Sequence, residues 1–379
     1  MLIKDYYDIS ARHLDRNDLK LIIMCGLALM TFGLAGVGTI FLMRLFSYLA
    51  AGRDPSSTHG ISLIESSRLG GLAIMLIVGF YALGMILLTD YTPGIVRSSQ
   101  ELALWSAIFL CASLGLIEDF KADFLSPLLR LLSKFLVFGL LLGFWPALIP
   151  EEVGLTGIDQ LLEVPLIAWV SGTVFCVGFI NAFNMSDGAN GLIPGIATAA
   201  FAIFFLEYGR PIEGLLFFAC SMFLIFNVIS GWFFLGDMGS YGLGAAVAVY
   251  GLSGVATGHF SASFMAALLA YPCLDFVTSI FRRVAAGRSP FTADNDHLHN
   301  RLHWQLKKQF RSRVVANSLT GLLISGSSAG IVLFAYIFSW RPAFSDDWIF
   351  LFALQVVLYG TVFRLAGRGR PTSQFSEAA

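Results

Sequence analysis

Apolar residues fill this chain in long blocks separated by short polar stretches. Eleven blocks have the length and polarity of membrane-crossing helices, near 21–43, 69–89, 102–117, 128–148, 165–182, 191–206, 215–235, 241–258, 261–281, 314–339 and 348–366. A hydrocarbon layer of about 30 Å takes about 20 apolar residues in a helix. A transmembrane barrel would instead alternate polar and apolar positions over segments of about ten residues. The pattern therefore predicts an all-α, polytopic integral membrane protein with about 11 transmembrane helices. They form one domain, 21–366, between a polar N-terminal tail, 1–20, and a C-terminal tail, 367–379. The stretch 150–163 reads as a short amphipathic segment lying outside the bilayer. The loops richest in chemistry are 44–68, 118–127, 183–190, 236–240 and 282–313. Each follows an odd-numbered span, so parity places all five on one side of the membrane.

Composition agrees, with 56% of residues hydrophobic and 13% charged. Charge then gives the side. Most of the 24 Lys and Arg lie in loops after odd-numbered spans or in the C-terminal tail, whereas loops after even-numbered spans hold Arg97, Arg210 and Arg341. Lys and Arg favour the cytoplasmic side and acids count little, so the motif loops and the C-terminus are expected to be cytoplasmic and the N-terminus periplasmic. One group of residues runs against this. Lys4, Arg12, Arg16 and Lys20 precede the first span and favour an internal N-terminus; the larger bias is followed here. No cleavable leader is expected, because the first apolar run is too long for one. A net charge of −1 with no basic, aromatic-interleaved stripe gives no sign of a nucleic-acid partner. The five cysteines (Cys25, Cys111, Cys176, Cys220, Cys273) sit in apolar runs without metal-ligand spacing and read as packing residues.

Five polar clusters carry candidate chemistry. The densest is 181–192, NAFNMSDGANGL, which holds Asn181, Asn184, Asp187 and Asn190, with glycines for close backbone approach. Polar and ionisable groups at membrane depth are costly and usually functional. Capping of the next helix by Ser186 or Asp187 is the plainer reading. The segment 115–130, GLIEDFKADFLSPLLR, sets Glu118 beside Asp119, followed by Lys121, Asp123 and Arg130. Adjacent carboxylates repel and need a cation or a shared proton, unless they are a solvated helix end. The turn 234–244, FLGDMGSYGLG, places Asp237 among glycines at a helix start, where Asp can hold a metal and backbone N–H groups can face phosphate. A simple membrane-edge turn is the alternative. The loop 282–313 contains Ser289-Pro290-Phe291, His297, His299, Arg301 and His303. Basic residues near an anionic leaflet are expected in any case. Zinc would need ligands beyond the His299/His303 pair. Last, 59–72, HGISLIESSRLGGL, starts at His59 and puts Arg68 before a Gly-Gly that opens a span; Arg68 can equally be a membrane anchor. Carboxylates, Mg²⁺ and basic groups together are the equipment of phosphoryl transfer.

Five blocks in this order, RLGGL, GLIEDF…LSPLLRLL, NAFNMSDGANGL, FLGDMGS and SPFTADNDHLHNRL, resemble the polyprenyl-phosphate N-acetylhexosamine-1-phosphate transferases. The last block is more similar to the N-acetylglucosamine branch than to the muramyl-pentapeptide translocases. The resemblance implies a reaction in which undecaprenyl phosphate attacks the β-phosphorus of a UDP-N-acetylhexosamine. UMP leaves and a lipid diphosphate-linked sugar forms, the first step of a cell-surface polysaccharide. It implies Mg²⁺, or Mn²⁺, held by Asp237 with Asp187 nearby. Glu118 and Asp119 match the family's Asp-Asp pair, linked to the lipid phosphate or its deprotonation. Asp187 matches the first Asp of DGxDGL, and Asn181 and Asn184 the Asn pair before it. His297 and His299 match the histidines near the nucleotide sugar. Arg68 and Arg301 are further candidate anion donors, and Asn190 a candidate nucleotide contact. Glu118, Asn190 and Asn300 depart from the family's Asp, Asp and His. These departures keep open a catalytically inactive, scaffold-like relative. The residues also leave a membrane transporter as the rival class. The expected place is the cytoplasmic face of a bacterial inner membrane; a homodimer, the sugar and the pathway are left open.

Overall fold

A computed structural model describes residues 16–48, 53–54, 66–88, 98–121, 124–289 and 295–368. His59, Asp123, Pro290, Phe291 and most of both tails lie outside these residues. The helices are α1 (Arg16–Ser47), α2 (Gly70–Leu88), α3 (Ser99–Phe120), α4 (Pro127–Phe144), α5 (Thr156–Leu162), α6 (Pro165–Met185), α7 (Leu192–Tyr208), α8 (Pro211–Ser230), α9 (Gly236–Ala256), α10 (Ala262–Leu268), α11 (Ala270–Ala285), α12 (Leu298–Gln309), α13 (Arg313–Ser325), α14 (Ile331–Ile337) and α15 (Trp348–Ala366). A π-helical turn, Gly326–Gly330, joins α13 to α14. The described residues also hold a 3-10 turn, Pro146–Leu148, and a two-residue antiparallel ladder, β1 (Arg53–Asp54) with β2 (Ser66–Ser67). The expected all-helical class therefore holds for nearly the whole described chain.

Among the described residues, eight helices are long and apolar enough by length and composition to cross a membrane, with α1 counted unbroken, and the pair α10 and α11, bent by 81°, makes nine when read as one span. The apolar helix α7, with 17 residues, is shorter than these. Large apolar side chains face outward, including Met30 at 86% and Phe350 at 73% exposure. That is the arrangement lipid requires and water would penalise.

The buried centre is α9, GDMGSYGLGAAVAVYGLSGVA, which packs against α3, α6, α2 and α7. Small residues let membrane helices approach closely. Gly115 of α3 lies on the backbone of Asp237 and Met238; a Cβ there would fall 2.2 Å from the Asp237 carbonyl oxygen. Gly71 meets the Gly239 backbone just as tightly, at 2.1 Å. These contacts draw the start of α2, the end of α3 and the start of α9 together. Ser67 extends the junction: its N–H donates to Trp232 O (3.2 Å) and its carbonyl accepts from Phe234 N (2.8 Å).

The first span expected from the sequence takes a different form. Lys20 and Arg44 stand near opposite ends of α1, and a straight helix would hold them ~36 Å apart. Both lie over the Trp232 ring, at 5.2 and 3.8 Å, and Lys20 Nζ also donates to Ser230 O at 3.1 Å. The chain reverses at Gly33, with φ 64° and ψ −149°, beyond which Gly36 packs on the backbone of Ala28. So α1 is a hairpin, with both ends at the end of the bundle that carries Trp232 and Asp237. The single crossing expected near 21–43 is corrected accordingly. Hydropathy registers apolar length and is blind to a reversal inside it.

Candidate active site

One end of the bundle collects residues from all five sequence clusters. Asp119, in the last turn of α3, is the link between two of them. Its two carboxylate oxygens accept the N–H groups of Asp237 and Met238, both at 2.8 Å. These are donors left free at a helix start, so Asp119 caps α9 from another helix. Gly236 makes room for it: at φ 73°, a Cβ would meet the Arg68 carbonyl and both Asp119 oxygens. The adjacent Glu118 turns the other way. It is buried, accepts from Leu125 N at 2.9 Å and pairs with Arg130 at 3.2 Å, which ties α3 to the start of α4.

The end of α6 supplies the amides. Asn184 Oδ1 accepts from Ser240 Oγ at 2.5 Å, and Asn181 Oδ1 accepts from Lys134 Nζ at 2.5 Å. Lys134 itself is buried on α4 and lies over the Tyr241 ring, 4.1 Å from its centroid. Sequence reasoning passed over this residue. Its signal was available, since a lone lysine inside an apolar run is costly unless it serves a function.

Asp187 follows α6 in a tight turn, Asp187 N donating to Asn184 O and Gly188 N to Ser186 O. Its carboxyl is pushed up to about 7, first by burial, then by the charges of Asp237 and Asp119, with Arg68 pulling the other way. Asp187, Asp237, Asp119 and Arg68 therefore share one electrostatic neighbourhood. The side-chain carboxylates of Asp187 and Asp237 have no hydrogen-bond or ion-pair partner among the described residues. Two carboxylates this close in charge disfavour each other's ionised form unless a cation or a shared proton offsets them. No three His, Cys, Asp or Glu side chains among the described residues form a metal cluster by themselves. That donor set fits Mg²⁺, which takes one or two carboxylates and completes its shell with water and phosphate oxygens.

The histidine block reaches the same loop. The His299 ring lies over Gly188, where a Cβ would be 2.1 Å from Nε2, and its Nδ1 is 2.9 Å from Tyr271 Oη. Burial holds the imidazole far down, at about 3, and His303 at about 4. His297 is parallel to His299, with centroids 5.3 Å apart.

Two expected substrate contacts are turned elsewhere. Asn190 is 3% exposed, with Asn227 Nδ2 and Ser318 Oγ each 3.5 Å from its amide, and its backbone N–H donates to Asn317 Oδ1 at 3.3 Å. It fastens the 187–191 turn to α8 and α13. Arg301 donates to both oxygens of Asp296, at 2.7 and 2.6 Å, and to Phe363 O, with its plane over the Phe363 ring. Its guanidinium edges are spent on protein, which corrects its reading as a free anion donor.

Residues 102–255 match glycosyl transferase family 4. The chain is 28% identical to the decaprenyl-phosphate N-acetylglucosaminephosphotransferase of Mycolicibacterium smegmatis, over 81% of this chain and 80% of that protein. It is 30% identical to the Mycobacterium leprae protein of the same name, over 64% and 67%. It is also 33% identical to the phospho-N-acetylmuramoyl-pentapeptide-transferase of Latilactobacillus sakei, over 38% and 51%.

Two outcomes follow from this geometry. Asn190→Asp buries a charge between Asn227 and Ser318, and should cost roughly 1–3 kcal/mol; an unchanged unfolding midpoint in detergent would remove the packing role. His299 protonates near 6.5 when unfolded and near 3 when folded. The folded state therefore loses stability as pH falls from about 6.5 toward 3, and keeps it above. The midpoint should drop through that window, and less steeply in His299→Gln; equal slopes would contradict the buried neutral imidazole.

Proposed function

The chain belongs to glycosyl transferase family 4, a family of phosphoglycosyltransferases, and from that premise we propose that it transfers N-acetylhexosamine 1-phosphate from a UDP-sugar to undecaprenyl phosphate. The observation that carries this reading is the pair of partner-free carboxylates, Asp187 and Asp237, beside Arg68 and the buried Lys134. In the reaction, an oxygen of the lipid phosphate bonds to the β-phosphorus of the nucleotide. The bond from that phosphorus to the bridging oxygen breaks, and its electron pair leaves with UMP. The sugar C1–O bond is untouched. One diphosphate is consumed and one is formed, so the step runs near equilibrium.

Asp237 and Asp187 are the residues that would hold Mg²⁺, which when bound neutralises diphosphate charge. Lys134 is fixed by Asn181 and Tyr241 as a cation for a phosphate oxygen. Arg68 offsets the charge of the carboxylates. A phosphate monoester has its second pKa near ~6, so the lipid nucleophile is largely ionised at neutral pH and needs no base. Asp119 then works by aiming Asp237 through the α9 cap, and Glu118 by holding Arg130. His299 sits over the Asp187 loop, on the side assigned to the nucleotide sugar, with His297 stacked on it. For the lipid tail, an apolar cavity of about 330 Å³ is lined by Phe175, Val247, Gly251, Met265, Leu269 and Phe352. It opens beside α9 some ~15 Å along the helix from Asp237. The distribution of Lys and Arg supports a cytoplasmic active face in a bacterial inner membrane, and the product would start a cell-surface polysaccharide. UDP-N-acetylglucosamine is the first donor to test.

The rival readings weaken on specific contacts. A transporter would set ionisable groups at a broken helix near the midplane; the break between α10 and α11 carries Leu268, Leu269 and Ala270. The inactive-relative reading rested on three departures from the family. Glu118 is engaged with Arg130, Asn190 with α8 and α13, and Asn300 Nδ2 with Asn295 O at 3.0 Å. None of the three removes a group from the carboxylate pair.

Purified protein with undecaprenyl phosphate, Mg²⁺ and radiolabelled UDP-N-acetylglucosamine, or a panel of UDP-sugars, should yield a lipid-linked sugar and UMP. Absence of both with every donor would defeat the proposal. Asp237→Asn and Asp187→Asn should each lower turnover on the order of 10²-fold or more while still inserting in the membrane. Normal turnover in both would place the metal elsewhere.

A further inference from the structure

Asp275 on α11 is fully buried, yet the function above makes no use of it. Its carboxylate gathers three donors. Oδ2 is 2.5 Å from His297 Nδ1, while Oδ1 accepts from Leu298 N at 3.0 Å and from Tyr359 Oη at 2.9 Å. One side chain thus caps the start of α12 and fixes the imidazole of its N-cap residue. A carboxylate on Nδ1 sets the ring's orientation. Tyr271 engages Nδ1 of His299 in the same way, and the two rings are parallel within 3°. The Nε2 edge of His299 faces Gly188, next to Asp187, and the His297 ring is stacked on it.

We propose that Asp275 is a positioning residue that holds the His297 ring against His299, beside the Asp187 loop, for contact with the nucleotide sugar. This rests on the transferase reading, and wild-type turnover is its separate control. Replacing the carboxylate with an amide removes the anion that orients the imidazole, while the bonds to Leu298 and Tyr359 can persist. Asp275→Asn should raise KM for UDP-N-acetylglucosamine about tenfold and leave KM for the lipid phosphate unchanged. In a His297→Ala background the same change should add less than about twofold, because the residue acts through that ring. Asp275→Glu, which retains the charge, should restore KM to within about threefold of wild type. An equal effect in both backgrounds, or a joint fall of all kinetic constants with the unfolding midpoint, overturns the proposal. So does failure of both variants to fold, which would make Asp275 a folding residue only. Absence of wild-type turnover would instead defeat the transferase reading.

A second observation stands by itself. The arms of α1 on either side of Gly33 are roughly 25 and 21 Å long at 1.5 Å per residue, short of a hydrocarbon layer of about 30 Å. Their bases meet on Trp232, and the bend lies where Phe32 packs edge-on against Phe217 and Phe218 of α8. We infer that Arg16–Ser47 is a re-entrant hairpin, so the chain enters α1 on the same side as the carboxylates. Lys20 and Arg44 then sit together at one interface, where cations and Trp are favoured. The basic residues before α1 also fall on the positive side, which removes the conflict in the charge distribution. Impermeant maleimide should fail to label Asn17→Cys, Ser47→Cys and Asn295→Cys in intact cells and label all three after permeabilisation, while Asp346→Cys reacts in intact cells. Labelling of only one of Asn17→Cys and Ser47→Cys in intact cells overturns the hairpin. Labelling of both, with Asn295→Cys protected, overturns it equally, by separating the hairpin base from the carboxylate side.

Discussion

The capping of α9 by the Asp119 carboxylate is the interaction on which the rest of this end of the molecule depends. Hydrogen bonds from backbone N–H to a charged acceptor contribute about 1.5–3 kcal/mol each, and here one side chain accepts two. The distances are possible because Gly115, Gly71 and Gly236 let three backbones approach to the limit of contact. A methyl group at any of these positions would push α3 or α2 away from α9. The cap would lengthen, and Asp237 would lose its fixed position. The same glycines that make α9 the centre of the bundle thus set the aim of the residue best placed to hold a metal.

Electrostatics makes that junction a site as well as a joint. Helix packing satisfies Asp119, and Arg130 satisfies Glu118, but Asp187 and Asp237 have no partners among the described residues and raise each other's energy. A folded protein keeps such repulsion only where something else relieves it. In the proposed reaction a divalent cation with a diphosphate would relieve it on both sides: the cation would satisfy the carboxylates, and Lys134 and Arg68 would answer the remaining phosphate charge.

Much of this was legible in the sequence, for definable reasons. Apolar length marked the helices, and parity brought Asp119, Asp187 and Asp237 to one end because each follows a span of the same direction. What sequence does not carry is side-chain direction. Asn190 stands three residues after Asp187, yet the turn points it into α8 and α13. Arg301 looked like a free donor until Asp296, five residues earlier, took its guanidinium. Lys134 and Asp275 were hidden for the opposite reason. Each is a single ionisable residue in an apolar run, where a motif search does not look but where the energetic cost of burial is itself the signal. The reversal at Gly33 had a signal too, in the basic residues that precede α1 on what parity would make the wrong side.

The two ends of the bundle treat charge in opposite ways, and that contrast argues for where the chemistry lies. At the end away from Asp237, Glu213 is fully buried against Arg210, which also approaches Glu101 at 3.8 Å. Glu207 there holds both His259 and Tyr336, at 3.1 and 2.7 Å. Each of these acids has its partner, so the cluster behaves as a clamp joining α3, α7, α8 and α14. A clamp of this kind cancels its own field and offers little to an anion. At the opposite end the carboxylates of Asp187 and Asp237 have no hydrogen-bond or ion-pair partner among the described residues, so their field is open to a ligand. Burial without neutralisation is the costly state, and the protein sustains it at the end where the proposed substrate would bring the missing charge.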